Sequence, residues 1–261
     1  YSTLSAADIS TPTTIESSNG IILNANLLSS HNHNPIFIIV HGTRGHKSME
    51  IIKTLSNRFY DEGYDVLNIN LSYGFNDRED EFLSCEIKHQ HSEHDSVKEI
   101  LTWYKYLIAK GYKDIRFIGH SRGAFNVIQT LALIENNQNI NAYLLAPIID
   151  TYEGTRDYYM NDLNIPYDLI INSNYNYDIS EKYSLINFLF CENAKVSSQT
   201  FRSYLDFSQD EKKYPFTYNI ISLLKNINSP ITIFSGTEDE ILLDSYEKFK
   251  VINKHNINHI V

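Results

Sequence analysis

Along the chain, short runs of apolar, mostly β-branched residues alternate with longer stretches in which apolar side chains recur every three or four positions. That alternation predicts parallel strands joined by crossover helices. Ile36 to Val40 is apolar at every position, as a strand covered on both faces must be. Ile51, Ile52, Leu55 and Phe59 then share one helical face ahead of Gly63, and a second strand follows over Tyr64 to Leu71. The clearest helix carries Val97, Ile100, Leu101, Tyr104, Leu107 and Ile108 on its buried side, with Asp95 or Ser96 as N-cap and Gly111 as stop. A short strand at Ile115 to Ile118 leads directly into a buried helix running from Ala124 to Ile134. Ala142 to Ala146 is another strand, ended by Pro147.

From Asp150 to about Asn228 the pattern turns Tyr-rich and short-helical, before strand text resumes at Ile231 to Phe234 and a last helix at Ser245 to Val251. The expected fold class is α/β: a mostly parallel, twisted sheet flanked by helices. Residues 1–149 and 229–261 form the core, and 150–228 an inserted helical lid.

The bulk numbers narrow the partners. A length of 261 residues suits one α/β domain with a lid, and 42% hydrophobic with 21% charged residues predicts a packed interior rather than a disordered or fibrous chain. The formal charge of -10 sets the molecule against nucleic acid and anionic membrane surfaces, leaving small molecules as the expected partners. No apolar run reaches the length of a bilayer span, so a soluble protein without an integral membrane segment is expected, in the cytoplasm ahead of a bacterial periplasm. The sequence begins with Tyr1, which leaves a removed leader and a fragment as two open readings. Cys85 and Cys191 are expected as free thiols, and the acid-rich stretch Asp77 to Glu81 as a solvated loop without chemistry.

Chemistry concentrates at Gly119-His120-Ser121-Arg122-Gly123, a G-x-S-x-G pentapeptide lying between a strand and a helix. In that setting a sharp turn lifts the serine hydroxyl over the sheet, and the two glycines remove Cβ atoms where strand and helix backbones approach. Ser121 is therefore the candidate nucleophile. Backbone N–H groups of Arg122 and of Thr43, in the loop His41 to Gly45, are the candidate oxyanion donors. His41 is expected to shape that loop rather than to act as base. The acid should follow a late strand, which points to Asp239, with Asp150 as the alternative and Glu238 and Glu240 as exposed neighbours. A base following the acid leaves His255 and His259, of which His259 is chosen. The cluster Cys85, His89, His91, His94 and Asp95 lacks the paired spacing of common zinc sites, so loop-ordering hydrogen bonds are expected there and no metal. Arg44 and Arg122 are open both to an anionic ligand group and to solvent, and Tyr158, Tyr159, Tyr167, Tyr175 and Tyr177 both to packing and to aromatic ligands.

His41-Gly42, the Ser121 pentapeptide, Gly236-x-x-Asp239 and His259 stand in the chain order of the α/β-hydrolase superfamily, which the sequence resembles over nearly its whole length. Leu71 to Gly74, Cys85 to His94 and Gly119 to Ala124 look most like a bacterial branch of α/β hydrolases that carries no assigned substrate. The chain departs from the family pattern in the short interval from Asp239 to His259 and in lacking a final helix. The resemblance implies hydrolysis of a carboxylic ester or thioester through an acyl-enzyme on Ser121, with no cofactor. Alternatives are a non-catalytic binding or scaffolding member of the fold, and an acyltransferase or peptidase using the same triad.

Overall fold

The computed structural model describes residues 10–30, 35–134, 140–149, 152–162, 184–205, 220–240, 245–250, 252 and 254–261. It opens with a hairpin of β1 (Ser10–Glu16) and β2 (Ile22–Leu28), paired antiparallel. Gly20 turns it at φ 79°, a conformation that costs a side chain but not glycine. Then follow β3 (Ile36–Val40), α1 (Glu50–Asp61), β4 (Asp65–Ile69), β5 (Lys88–His89), α2 (Glu93–Ala109), β6 (Ile115–His120), α3 (Arg122–Leu133) and β7 (Ile140–Leu145). The segment after β7 carries α4 (Tyr152–Asp157), a π-helical turn (Tyr158–Asp162), β8 (Ser184–Phe188), β9 (Cys191–Val196) and α5 (Ser198–Ser203). The chain closes with α6 (Ile220–Asn226), β10 (Ile231–Phe234), α7 (Ser245–Lys250) and β11 (Ile257–Ile260).

Among the described residues, eight strands form one sheet in the order β1-β2-β4-β3-β6-β7-β10-β11. β2 meets β4 antiparallel, and every pairing from β4 to β11 is parallel. Parallel strands force each connection across a face, and the alternation along β3 shows both faces covered. Phe37 and Ile39 pack with Ile52 of α1, whereas Ile36, Ile38 and Val40 join the cluster that holds Ile100 and Trp103 of α2 and Phe125 of α3. Each such side chain, fully withdrawn from water, contributes about 1.5–3 kcal/mol before entropy is counted. The common strand direction places the loops after β3, β4, β6 and β10 on one edge, where ligands of open α/β sheets bind.

Three expectations change. The helix of Val97 begins earlier, because Ser92 is its N-cap: Ser92 Oγ accepts from His94 N at 3.2 Å and Asp95 Oδ2 accepts from Ser92 N at 2.8 Å, a reciprocal capping box. Asp95 thus serves the cap from inside the helix. The inserted segment is not purely helical, since β8 and β9 form a hairpin whose β9 lies parallel to β5 in a second, three-stranded sheet. Finally, Cys85 and Cys191 are not free thiols but a disulfide, 106 residues apart in sequence with Cα atoms 5.3 Å apart. The spacing hid this, because a pair so distant in sequence meets only once the hairpin is folded back on the core. No described helix is long and apolar enough to cross a membrane.

Candidate active site

β6 ends and α3 begins with a single residue between them, and that residue is Ser121 at φ 53°, ψ -121°. A non-glycine residue held there stores on the order of 1–3 kcal/mol of backbone strain. The surroundings hold it. Ser121 N donates to Leu145 O at 2.9 Å, which pins the turn to β7. A Cβ on Gly119 would stand 2.4 Å from Ala124 Cα, and one on Gly123 would stand 2.3 Å from His41 O and 2.6 Å from Val40 O. Only glycine permits strand, turn and helix to close this tightly, so the two motif glycines create the space in which Ser121 can be bent.

The loop after β3 lies against that turn. A Cβ on Gly42 would be 3.1 Å from Ser121 Cβ, and Arg122 Nε donates to Thr43 Oγ1 at 3.4 Å. Thr43 N–H has no hydrogen-bond partner among the described residues, and Arg122 N–H opens α3, where helix geometry supplies no intrahelical acceptor. The structure thus brings Ser121, Thr43 and Arg122 together. Arg122 is set from behind: its Nη1 lies 3.3 Å from Oε1 of Glu93, a fully buried carboxylate that also accepts from Asn126 Nδ2 at 2.9 Å. Its guanidinium also stands 5.2 Å over the Tyr204 ring.

The Thr43 loop is anchored by His41 and by several residues that the sequence left without a role. His41 is completely buried; its Nδ1 donates to Gly42 O at 2.8 Å and its Nε2 accepts from Leu71 N at 3.1 Å. Burial lowers its pKa to about 3, so the ring is neutral, and with both nitrogens engaged it is a post rather than a base. Arg44 N donates to Tyr73 Oη at 3.0 Å, and Lys47 N to Asn70 Oδ1 at 2.7 Å. Arg78, buried over the Tyr73 ring, donates to Leu71 O at 2.8 Å, Gly45 O at 2.5 Å and Glu81 O at 2.9 Å. Asp80 accepts from Lys47 Nζ, Ser48 Oγ and Asn70 Nδ2. The acids of the stretch Asp77 to Glu81 are exposed, as a solvated loop's are, yet through buried Arg78 and through Asp80 the same stretch clamps the loop that faces Ser121. The usable signal was Arg78 itself, a lone cation among acids with nothing local to pair all of its donors.

Asp239 follows β10, at the same sheet edge, in the short turn that begins at Ser235. Its carboxylate raises the proton affinity of His120, the residue preceding Ser121, although burial wins and His120 stays below the usual imidazole range. Glu238 and Glu240 are exposed, and Asp150 lies outside the described residues.

The histidines do not follow. His259 lies within β11 and is level with Ile233, which is level with Leu144 and that with Gly119. Three strand spacings of about 4.8 Å separate the backbones by roughly 14 Å, whereas a nucleophile and its base must meet at about 3 Å. The ring contacts Ser235 Oγ through Nε2 at 3.1 Å and stands edge-on to Phe249. His255 is exposed and precedes β11, on the opposite edge of the sheet. Neither candidate base is brought to Ser121, because His259 lies inside β11 rather than in a loop beyond it and His255 precedes that strand. Of the remaining cluster, His91 Nε2 pairs with Tyr204 Oη at 2.9 Å, His89 packs edge-on to Phe188, and Cys85 is spent in the disulfide. The described residues hold no group of three metal-ligating side chains.

A cavity of about 490 Å³ opens beside Thr43 and Arg122, and its far wall is the β8–β9 turn, Phe188 to Glu192, with Tyr158 and Tyr159 at the side. That volume is within the range that encloses a small organic ligand.

No protein-family model matches the chain, and no curated protein matches its sequence. Solved structures do match. Est1E from Butyrivibrio proteoclasticus with ferulic acid bound superposes with a TM-score of 0.64 at 19% identity, over 95% of this chain and 88% of that one. The α/β hydrolase GrgF from Penicillium sp. sh18 gives 0.64 at 14% identity, over 96% and 89%. The esterase Pf2001 from Pyrococcus furiosus gives 0.56 at 16% identity, over 98% and 85%. At these identities the likeness is one of fold.

Proposed function

We propose that this chain, which has the α/β-hydrolase fold, is a serine hydrolase that cleaves a carboxylic ester or thioester of a small molecule through an acyl-enzyme on Ser121. The observation that carries the reading is the strained backbone of Ser121, held between Gly119 and Gly123 against the Thr43 loop. Ser121 Oγ attacks the carbonyl carbon, and the Thr43 and Arg122 amides receive the negative charge that develops on oxygen. The Ser121 proton passes to the imidazole of His259, which Asp239 orients and stabilises as an imidazolium and which returns the proton to the departing alcohol or thiol; water then releases the acid by the same route. His259 serves as base in this scheme only by leaving its contact with Ser235 and its place in β11. His259→Ala is accordingly expected to lower ester turnover by about a thousand-fold or more, and a change within about two-fold would remove His259 from the triad.

The substrate class follows from the cavity. Tyr158, Tyr159, Phe188 and Phe190 give it aromatic walls, and the ligand of the Est1E structure is an aromatic acid, so a bulky, apolar or aromatic acyl group is the proposed substrate part. The Cys85–Cys191 bond supports an oxidising compartment and speaks against the expected cytoplasm.

A second reading has an observation of its own: among the described residues no histidine side chain bonds to Ser121, as suits a binding protein on the same fold. A panel of acetyl, medium-chain and aromatic acyl esters decides between the two. The enzyme turns over at least one ester and loses that turnover in Ser121→Ala, whereas saturable binding of the esters without turnover would establish the binder.

A further inference from the structure

The β8–β9 hairpin forms the cavity wall that faces the oxyanion loop, and it joins the core in two different ways at its two ends. At the Val196 end the joint is a set of hydrogen bonds: β5 pairs with β9 through Lys88↔Lys195 and His89↔Val196, and His89 O accepts from Ser197 N at 3.0 Å and Thr200 Oγ1 at 3.2 Å. At the cavity end, no hydrogen bond among the described residues ties Phe188 to Glu192 to the core; the links are apolar packing of Phe188 and Leu189 and one covalent bond, Cys85–Cys191.

From Cys85 the connection continues to the site itself. Two residues before it, Leu83 N donates to Arg44 O at 2.9 Å and Leu83 O accepts from Arg44 Nε at 2.7 Å, and Arg44 follows Thr43. A short, stiff path therefore runs from the cavity wall through the disulfide to the oxyanion loop. The intervening joint has few hydrogen bonds, because β5 has only two paired residues and the buried His89 ring has no hydrogen-bond partner on either nitrogen among the described residues; what else holds it is apolar packing, with Phe188 edge-on to His89 and Tyr204.

We propose that the Cys85–Cys191 bond sets the distance between the cavity wall and the oxyanion loop, so that its reduction lets the hairpin swing about the β5 joint and changes which acyl groups the site accepts. The proposal rests on the hydrolytic reading of the Ser121 site. The reductant is a soluble dithiol: one thiolate attacks a sulfur of the bond, and its second thiol resolves the mixed disulfide. The protein gains two electrons and two protons as two thiols, and the dithiol leaves as a cyclic disulfide. Cys85 is partly exposed, which gives the reductant an approach that Cys191, 1% exposed, does not.

The experiment compares the oxidised full-length protein, the same protein reduced with dithiothreitol, and Cys85→Ser, with thiols counted by titration. It measures kcat/KM for an acetyl ester and a bulky aromatic ester, together with limited proteolysis over residues 184–196. In both forms that lack the bond, the ratio of the two kcat/KM values is expected to shift by about ten-fold, and new cleavage is expected in the hairpin. An unchanged ratio and an unchanged cleavage pattern, with the thiols titrating, would overturn the proposal. If no form hydrolyses any ester, the hydrolytic reading fails, and the cleavage pattern alone then decides whether the bond holds the hairpin.

Discussion

Ser121 pays twice for its position, once in backbone strain and once in the glycines its neighbours must be. Two substitutions that both remove the hydroxyl separate these effects. Glycine relaxes a φ of 53° and alanine does not, so Ser121→Gly is expected to be more stable than Ser121→Ala by about 1 kcal/mol after the entropy glycine adds to the unfolded chain, as read from denaturant midpoints. Gly123→Ala places a methyl group 2.3 Å from His41 O and should cost at least 3 kcal/mol, roughly the upper end of overpacking, or prevent folding. The motif residues were legible from sequence because their spacing is local and each has a steric reason. His41 was read as shaping the facing loop, but its other anchors, Arg78 and Tyr73, were not legible, because they meet it only through contacts made across the sheet edge. Arg78→Met tests their importance. It keeps most of the side-chain volume but loses the bonds to Leu71 O, Gly45 O and Glu81 O, and it is expected to lower the acylation rate of Ser121 by about ten- to a hundred-fold with Ser121 intact.

The elements that carry the site were mostly readable, and those that enclose it were not. β3, β4, β6, β7 and β10 appear where unbroken or alternating apolar runs stand, since buried parallel strands leave an unmistakable pattern. β1 and β2 escaped because an edge hairpin with one wet face alternates only weakly: Thr11, Pro12 and Thr14 among exposed or half-exposed positions of β1 carry little apolar signal. The start of α2 was misplaced by one turn because Asp95 and Ser96 are plausible caps, and only the reciprocal Ser92 and Asp95 bonds identify the true one. Ser92→Ala is expected to cost about 1 kcal/mol, measured by urea denaturation. The β8–β9 hairpin lay hidden in Tyr-rich text, and with it the disulfide, whose two cysteines stand 106 residues apart and are brought together by that hairpin's place against β5.

Among the described residues, three imidazoles are buried so that they cannot readily charge. His41, His89 and His91 have pKa values lowered to about 3, 4 and 3, in each case chiefly by burial. Because the unfolded chain takes up protons near pH 6.5 and the folded one does not, the stability these groups permit is present above that pH and is lost as pH falls toward 4, at about 1.4 kcal/mol per unit for each group. Glu99 acts in the opposite direction. Burial raises it to about 7 although Ser72 hydrogen-bonds to it, so its contribution is present below the normal carboxylate range and fades as pH rises through about 7. Three groups outweigh one, and unfolding midpoints are expected to rise steeply from pH 4 to about 6.5 and then to flatten or decline slightly. The fold class could be read from sequence at this scale, but the base could not, since a histidine's distance from Ser121 depends on strand order and register.

The central claim is that Ser121 is an activated nucleophile, and treating the full-length, folded protein with a fluorophosphonate, followed by mass mapping of the adduct, tests it most directly. The account predicts one covalent adduct on the peptide containing Ser121, absent from Ser121→Ala. A folded protein that takes up no probe, or that is modified equally well without the Ser121 hydroxyl, would contradict it.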